Sequence, residues 1–306
     1  MYYFLVSDHG GSGRAVRLFP KIERILKERG IPYKCWKSPS GERAAEIVRE
    51  VCASGDDDAR LVVMGGDGTV NAVLNGITDF GALKLGLIPT GSGNDFARAL
   101  GVTKRYRRTL EKILAADGTR TIDVGRVTAE DGTTRVFGIS TGMGMDAVIG
   151  RKADEATYKH VLNKLRLGTL IYVFAAVSTL AHLKSTGVTV RVDSGEPFRL
   201  DDVFYLACMN CPTEGGGIPM APGAACDDGL LTVGVARGVK GLMGFVLFPL
   251  ICAGVQNRLR YFSTLTCRTL EIRCDEAQTC HYDGEALGEN ASLSVEILPQ
   301  KLHILA

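Results

Sequence analysis

Apolar positions follow two different rhythms along this chain. In the first 125 residues, short apolar runs alternate with segments whose apolar residues recur at helical spacing. YYFLVS (2–7) reads as a strand, and RAVRLFPKIERILKERG (14–30) as an amphipathic helix that Pro20 kinks or interrupts. IPYKCWKS (31–38) comes next, followed by GERAAEIVREVCAS (41–54), whose Ala, Ile and Val keep a helical period. ARLVVMG (59–65) is apolar throughout its centre, as a strand covered on both faces must be. A short helix (69–77), a strand LKLGLIP (83–89) and helices near 93–100 and 105–116 complete the series. Such alternation predicts a parallel sheet with helices on both sides, a doubly wound α/β domain.

From about Asp123 the rhythm shortens to that of strands. RVFGIS, VTVRVDSGEPFRLDDVFYLACMN, GLLTVGVARG, TLEIRC and LSVEILP are alternating or β-rich, with a hairpin turn expected at Asp193-Ser194-Gly195. Helical insertions are expected near 146–184 and 240–254. The change of pattern divides the chain into a first domain over 1–122 and a mostly antiparallel second domain over 123–290.

Composition narrows the class. The 306 residues are 45 % hydrophobic and 23 % charged with a formal net charge of +2, ordinary for a globular protein and no sign of a nucleic-acid partner. Nine cysteines, an odd number without framework spacing, and an N-terminus that does not read as a signal peptide point to reduced thiols in the cytoplasm. GTLIYVFAAVSTLAHL (168–183) and GLMGFVLFPLICAGV (241–255) are apolar but fall short of the roughly 20 residues that span a bilayer. They read as buried helices or as an apolar lining for a greasy substrate. KRYRR (104–108) reads as a solvated helix face, or as a site of attraction to an anionic membrane.

Two glycine-rich turns follow neighbouring strands: GGDGTVN (65–71) and PTGSGNDFAR (89–98). Ligands of open α/β sheets bind beyond the carboxyl ends of the strands. There, glycines let backbone N–H groups approach an anion, and a helix N-terminus adds partial positive charge. Asp67 and Asp95 would repel a bare phosphate, so a divalent cation and a phosphorylated nucleotide suit these loops better; two tight turns with helix-capping aspartates are the plainer alternative. There is no Walker A, since no Gly-Lys pair occurs, and GMGMDA (142–147) lies outside any βαβ series.

GGDGTVNAVLNGI and IPTGSGNDFARALG together resemble the diacylglycerol kinase catalytic-domain family, which includes bacterial soluble lipid kinases and the sphingosine and ceramide kinases. IDVGRV (122–127), STGMGMDAVI (140–149), CDDGLLTV (226–233) and HYDGEAL (281–287) extend the likeness over nearly the whole chain. GGDGT alone would be shared with NAD kinases and phosphofructokinase relatives. The resemblance implies a phosphofructokinase-like nucleotide domain and a β-sandwich-like second domain, with ATP in the cleft. It also implies that the tail, about 291–306, returns to the first domain.

Carried over by motif, the cofactor-binding residues are Gly11, Ser38, Gly65, Gly66, Asp67, Gly68, Thr69, Asn71, Thr90, Gly91, Ser92, Gly93 and Asn94. Asp283 inherits the general base, with Glu285 near nucleotide or metal. Asp67, Asp95, Asp123 and Asp283 would form a network around a catalytic Mg²⁺, and Ala225, Asp228 and Leu230 would hold a structural Mg²⁺. Read without the family, HYDGE and CDDG are Asp-Gly turns. The first loop, SDHGG, departs from the family's Asn-Pro-x-Ser-Gly, which puts its nucleotide contacts in question. The resulting expectation is an ATP- and Mg²⁺-dependent kinase of a lipid alcohol, most naturally diacylglycerol, in peripheral contact with membrane; a homodimer stays open. A soluble-acceptor kinase of the NAD-kinase type and a non-catalytic nucleotide sensor remain as alternatives.

Overall fold

Residues of alternate parity in three central strands feed two separate cores. The computed structural model describes residues 1–8, 10–116, 118–144, 185–239 and 243–305. In β1 (Tyr2–Ser7), β3 (Ala59–Gly65) and β4 (Leu83–Pro89), the side chains of Phe4, Val6, Val62, Met64 and Ile88 face one way. They meet α1 (Arg14–Glu28) and α5 (Tyr106–Ala115). Leu5, Leu61, Val63, Leu85 and Leu87 face the other way, onto α2 (Gly41–Cys52), α3 (Asp67–Leu74) and α4 (Asp95–Ala99). This is why ARLVVMG had to be apolar on both faces.

With β2 (Tyr33–Ser38), β5 (Arg120–Ile122) and β15 (Leu302–Ile304), these strands form a six-stranded sheet in the order β2-β1-β3-β4-β15-β5. All neighbours are parallel except β15 and β5, so the doubly wound sheet carries an antiparallel edge. The last strand of the chain lies inside this sheet, between β4 and β5. The order reverses between β1 and β3, and that switch point opens a crevice at the strands' carboxyl ends.

Pro20 does not interrupt α1, which continues through it to Glu28. It lies on the exposed face, where water can take the carbonyl that its missing N–H leaves unpaired. Ser40 caps α2, its hydroxyl accepting from Arg43 N–H at 3.2 Å.

The second sheet has nine strands, all antiparallel: β6 (Gly125–Ala129), β7 (Thr134–Phe137), β8 (Ser140–Gly144), β9 (Thr186–Val192), β10 (Phe198–Met209), β11 (Leu231–Arg237), β12 (Phe262–Cys267), β13 (Thr269–Tyr282) and β14 (Glu285–Ile297). Both β8 and β9 pair with β10 and with β13, at opposite ends of those long strands. The turn at Asp193 forms as expected, its carboxylate accepting from the N–H groups of Arg268 and Thr269. RVFGIS is not one strand: it breaks at Gly138–Ile139 into β7 and β8, for a reason that lies in the site. The apolar segment near 241–255 forms α6 (Met243–Cys252), which buries Leu247 and Ile251 but leaves Val246 exposed, so it is not wholly internal. The expected insertion at 146–184, with its apolar run 168–183, lies outside the described residues, as does GMGMDA beyond Gly144. Among the described residues no helix is long and apolar enough to cross a membrane. None of the nine cysteines forms a disulfide, and Cys208 and Cys211 are buried.

Candidate active site

The two glycine loops lie back to back. A Cβ on Gly66 would stand 3.0 Å from Gly91 Cα, and one on Gly91 would overlap Gly66, so only glycine permits this approach. Thr90 N–H donates to Gly65 C=O at 2.9 Å and continues the β3–β4 register into the turns. Asn94, in the left-handed region, clamps the second loop: its Oδ1 accepts from Gly91 N–H at 2.9 Å and its Nδ2 donates to Gly91 C=O at 2.6 Å. Both ends of the Asn94 amide are thus used in shaping the loop.

Beside the loops opens a cleft of about 1630 Å³. Ser38, Gly66, Gly68, Thr69, Asn71, Gly91, Ser92 and Glu285 line it, together with Arg49 and Arg135, which sequence reasoning passed over. Gly65, Asp67 and Asn94 stand behind that wall. Gly11 lies in a 3-10 turn, Gly10–Gly13, leading into α1. Thr90 Oγ1, at the start of the second glycine loop, and Asp8 Oδ1, next to Ser7 of the cleft wall, are buried without a hydrogen-bond partner. Buried polar atoms are nearly always satisfied, so a bound polar ligand fits this cleft.

The carboxylates crowd behind the loops. Asp67, in the first turn of α3, accepts from Phe96 N–H at 3.2 Å and so caps the next helix as well. Burial first, then the charges of Asp95 and Asp283, push its carboxyl above the ordinary carboxylate range, against the pull of backbone hydrogen bonds. Asp95 pairs with Arg98 and accepts from Gly216 N–H at 2.7 Å. Gly216 belongs to PTEGGGIP, where three consecutive glycines have positive φ. That run was the available signal for a backbone segment closing on the site, and sequence reasoning did not use it.

Asp283 and Gly284 form the two-residue turn between β13 and β14, both with positive φ. The plain reading of HYDGE as an Asp-Gly turn therefore holds. The Asp283 carboxylate turns inward and accepts four hydrogen bonds. Ile139 N–H (2.7 Å) and Ser140 N–H (3.0 Å) reach Oδ1; Gly138 N–H (2.8 Å) and Asn71 Nδ2 (3.0 Å) reach Oδ2. These amides explain the break in RVFGIS. A carboxylate has about four lone-pair sites, and these four bonds engage both oxygens of Asp283. Burial pushes its carboxyl upward, with Asn71 and the three amides opposing. Glu285, two residues on, lines the cleft with Oε1 only 3.0 Å from where a Cβ on Gly68 would be, beside the N-terminus of α3. Asn71 is buried and ties α3 to Asp283, while Asn75 exchanges two hydrogen bonds with Val136 of β7.

Asp123 lies on the second domain's side of the site. Its buried carboxylate pairs with Lys301 and accepts from Gly229 N–H at 2.7 Å, whereas the acidic groups that act on Asp67 are Asp95 and Asp283. The expected ligands of a structural Mg²⁺, Ala225, Asp228 and Leu230, lie together in the loop before β11. Asp228 Oδ1 accepts from Leu230 N–H at 2.9 Å within its own turn, and Arg120 holds Asp227 at 2.7 Å. Among the described residues, no group of three or more His, Cys, Asp or Glu side chains gathers as a metal site.

Residues 1–127 match the diacylglycerol kinase catalytic domain family, and residues 139–306 match the YegS C-terminal NAD kinase beta sandwich-like domain family. A diacylglycerol kinase of Mycobacterium tuberculosis is 28 % identical over 272 residues, 88 % of this chain and 84 % of the relative. A protein of Xanthomonas oryzae named as a probable YegS-like lipid kinase is 30 % identical over 270 residues, 85 % of this chain and 82 % of the relative. Among solved structures, a diacylglycerol kinase from Bacillus anthracis superposes with a TM-score of 0.72 at 19 % identity, covering 99 % of this chain and 96 % of that one. An NAD kinase from Archaeoglobus fulgidus, crystallised with ATP, gives 0.52 at 13 % identity, covering 100 % of this chain and 94 % of that one.

Proposed function

The chain belongs to the family of diacylglycerol kinase and YegS-like lipid kinases, and from that premise we propose that it transfers the γ-phosphoryl group of ATP to the hydroxyl of a lipid alcohol, diacylglycerol first among them. The observation that carries this reading is the meeting of Glu285 with the N-terminus of α3 at the glycine loops, across one cleft. First-turn amides of a helix lack intrahelical acceptors, so those of α3 are suited to phosphate oxygens. Thr90 and Asp8 would be completed by the bound nucleotide.

Glu285 takes the general-base role first assigned to Asp283. As the lipid oxygen attacks the γ-phosphorus, its proton passes to the Glu285 carboxylate and ADP leaves. Asp283 positions that base: it fixes the turn two residues before Glu285 and draws residues 138–140 and Asn71 onto it. Asp67, an ionisable carboxyl crowded by Asp95 and Asp283, is the residue that would hold the Mg²⁺ accompanying ATP, which when bound offsets charge on the phosphates. Nine cysteines outside any disulfide suit a reducing cytoplasm, and a lipid acceptor calls for peripheral contact with membrane.

Labelled ATP with Mg²⁺, offered to micellar diacylglycerol, sphingoid bases, ceramide and monoacylglycerol and to soluble NAD, tests this directly. Labelled lipid from the wild type and none from Glu285→Gln is the expected result. Label on NAD alone would move the acceptor to the soluble class. Full activity in Glu285→Gln would remove Glu285 as base.

A further inference from the structure

The carboxylate of Asp95 is shared between the two domains. Its Oδ1 pairs with Arg98, one turn further along α4, and its Oδ2 accepts from Gly216 N–H of the second domain at 2.7 Å. The Asp95 side chain is 6 % exposed, so its charge needs the guanidinium beside it. Arg98 does more than neutralise that charge. Its Nη1 takes Asp95 while its Nη2 donates to Gly93 C=O at 2.9 Å. One planar fork therefore holds the start of α4 and the second glycine loop in a fixed relation. The same guanidinium abuts the second domain, since a Cβ on Gly217 would stand 3.3 Å from its Cζ and Nη1.

The segment that reaches across is a closed tip. Glu214 and Ile218 exchange both backbone hydrogen bonds, at 2.9 and 2.8 Å, and leave Gly215, Gly216 and Gly217 as the loop between them. A side chain on Gly217, at φ 107°, would strain that backbone and press on Arg98. Behind the neck, Ile218 and Met220 pack into the core that Leu247 and Ile251 of α6 help to build. Gln256, just beyond α6, donates to the carbonyls of Pro219 and Met220. The tip is thus rooted in the apolar side of the second domain and ends on the second glycine loop of the first.

We propose that the 214–218 tip is an interdomain clasp acting through Arg98, so that nucleotide at the second glycine loop and the seating of the tip depend on one another, a coupling that rests on the loop's proposed role of holding ATP. Arg98 is a positioning residue: among the described residues neither it nor the tip lines the cleft, and both act through Gly93 and Asp95. Linkage makes the dependence reciprocal. Whatever nucleotide does to the tip, the tip does to nucleotide affinity.

Hydrogen–deuterium exchange of the full chain, followed in peptides covering 90–94 and 212–219 with and without saturating Mg²⁺ and ATP, tests the clasp. Wild type, Arg98→Ala, Arg98→Lys and Gly217→Ala are compared, beside equilibrium ATP binding and a melt. Without nucleotide, Arg98→Ala is expected to speed exchange in 212–219 about 10-fold, and Gly217→Ala to do the same across the domain boundary in 90–94. With ATP, the wild type is expected to gain protection in both segments. Arg98→Ala is expected to bind ATP about 10-fold more weakly and, at saturation, to protect 90–94 alone. Arg98→Lys keeps the charge without the fork and is expected to fall between. An arginine that serves stability alone would lower Tm in Arg98→Ala and leave the response of 212–219 to ATP intact; that result overturns the proposal. So does a wild type in which ATP protects 90–94 and leaves 212–219 unchanged. If ATP alters exchange nowhere in the wild type, the kinase reading fails instead, and the nucleotide-free comparison decides the clasp: unchanged exchange of 90–94 in Gly217→Ala removes it. If Arg98→Ala does not fold, Arg98→Lys and Gly217→Ala decide by the same two segments.

Discussion

Asp283 and Glu285 sit two residues apart on one turn, yet their surroundings give them different work. Glu285→Gln is expected to lower kcat by about 10²–10⁴-fold with little change in KM for ATP or in Tm, read from steady-state kinetics and a melt. Asp283→Asn places amide hydrogens against backbone donors, and is expected to cost about 2–3 kcal/mol in urea denaturation. Asp67 is a buried charge among like charges, so its folded pKa lies above the unfolded value. Below the ordinary carboxylate range Asp67 is protonated in both states, and its preference for the protonated fold is fully present. That contribution is lost as pH rises through the folded pKa. Asp67→Asn is therefore expected to raise the ligand-free Tm by about 2–4 °C at neutral pH while abolishing transfer. The gain should vanish in acid; a gain that is the same at every pH would show that repulsion is not its source. The sequence pointed to all three acids, but not to Asp283's acceptors, because residues 138–140 are distant in the chain and contribute only backbone.

At the scale of elements, the glycine loops work as a pair. Gly91→Ala drives a methyl into Gly66 and must part the two turns, since both contacts are backbone. A displacement near 1 Å of the phosphate cradle is expected to lower kcat/KM for ATP by about 10²-fold, with the fold retained by circular dichroism. Unchanged kinetics would mean that the touching backbones do not shape the nucleotide site. The strands and helices before residue 116 were legible because each is periodic and covered on both faces or one. The division of RVFGIS into β7 and β8 was not, since its cause is a side chain from β13's turn.

For the whole molecule, the return of the tail matters most. β15 lies between β4 and β5, and Leu302 and Ile304 are buried in the same core as β3 and α3. Removing residues 299–306 separates β5 from the sheet and takes Lys301 from Asp123. The truncated chain is expected to lose a single cooperative melt and to be cut readily by protease near the β5–β6 connection. A truncated chain that melts like the wild type would show that β15 is an accessory strand.

By itself the sequence determined the local order: the alternating strands and helices, the apolar faces, and the glycine turns with Asp67 and Asp95 at their helix starts. Those features depend on periodicity and on what glycine and aspartate do within a few residues. Tertiary structure decided which groups are charged against which. Four donors converge on Asp283 and leave Glu285 facing the cleft, and an isolated lysine near the end of the chain meets Asp123. Nothing in the neighbouring sequence of Lys301 marks it, because its role comes from where β15 inserts.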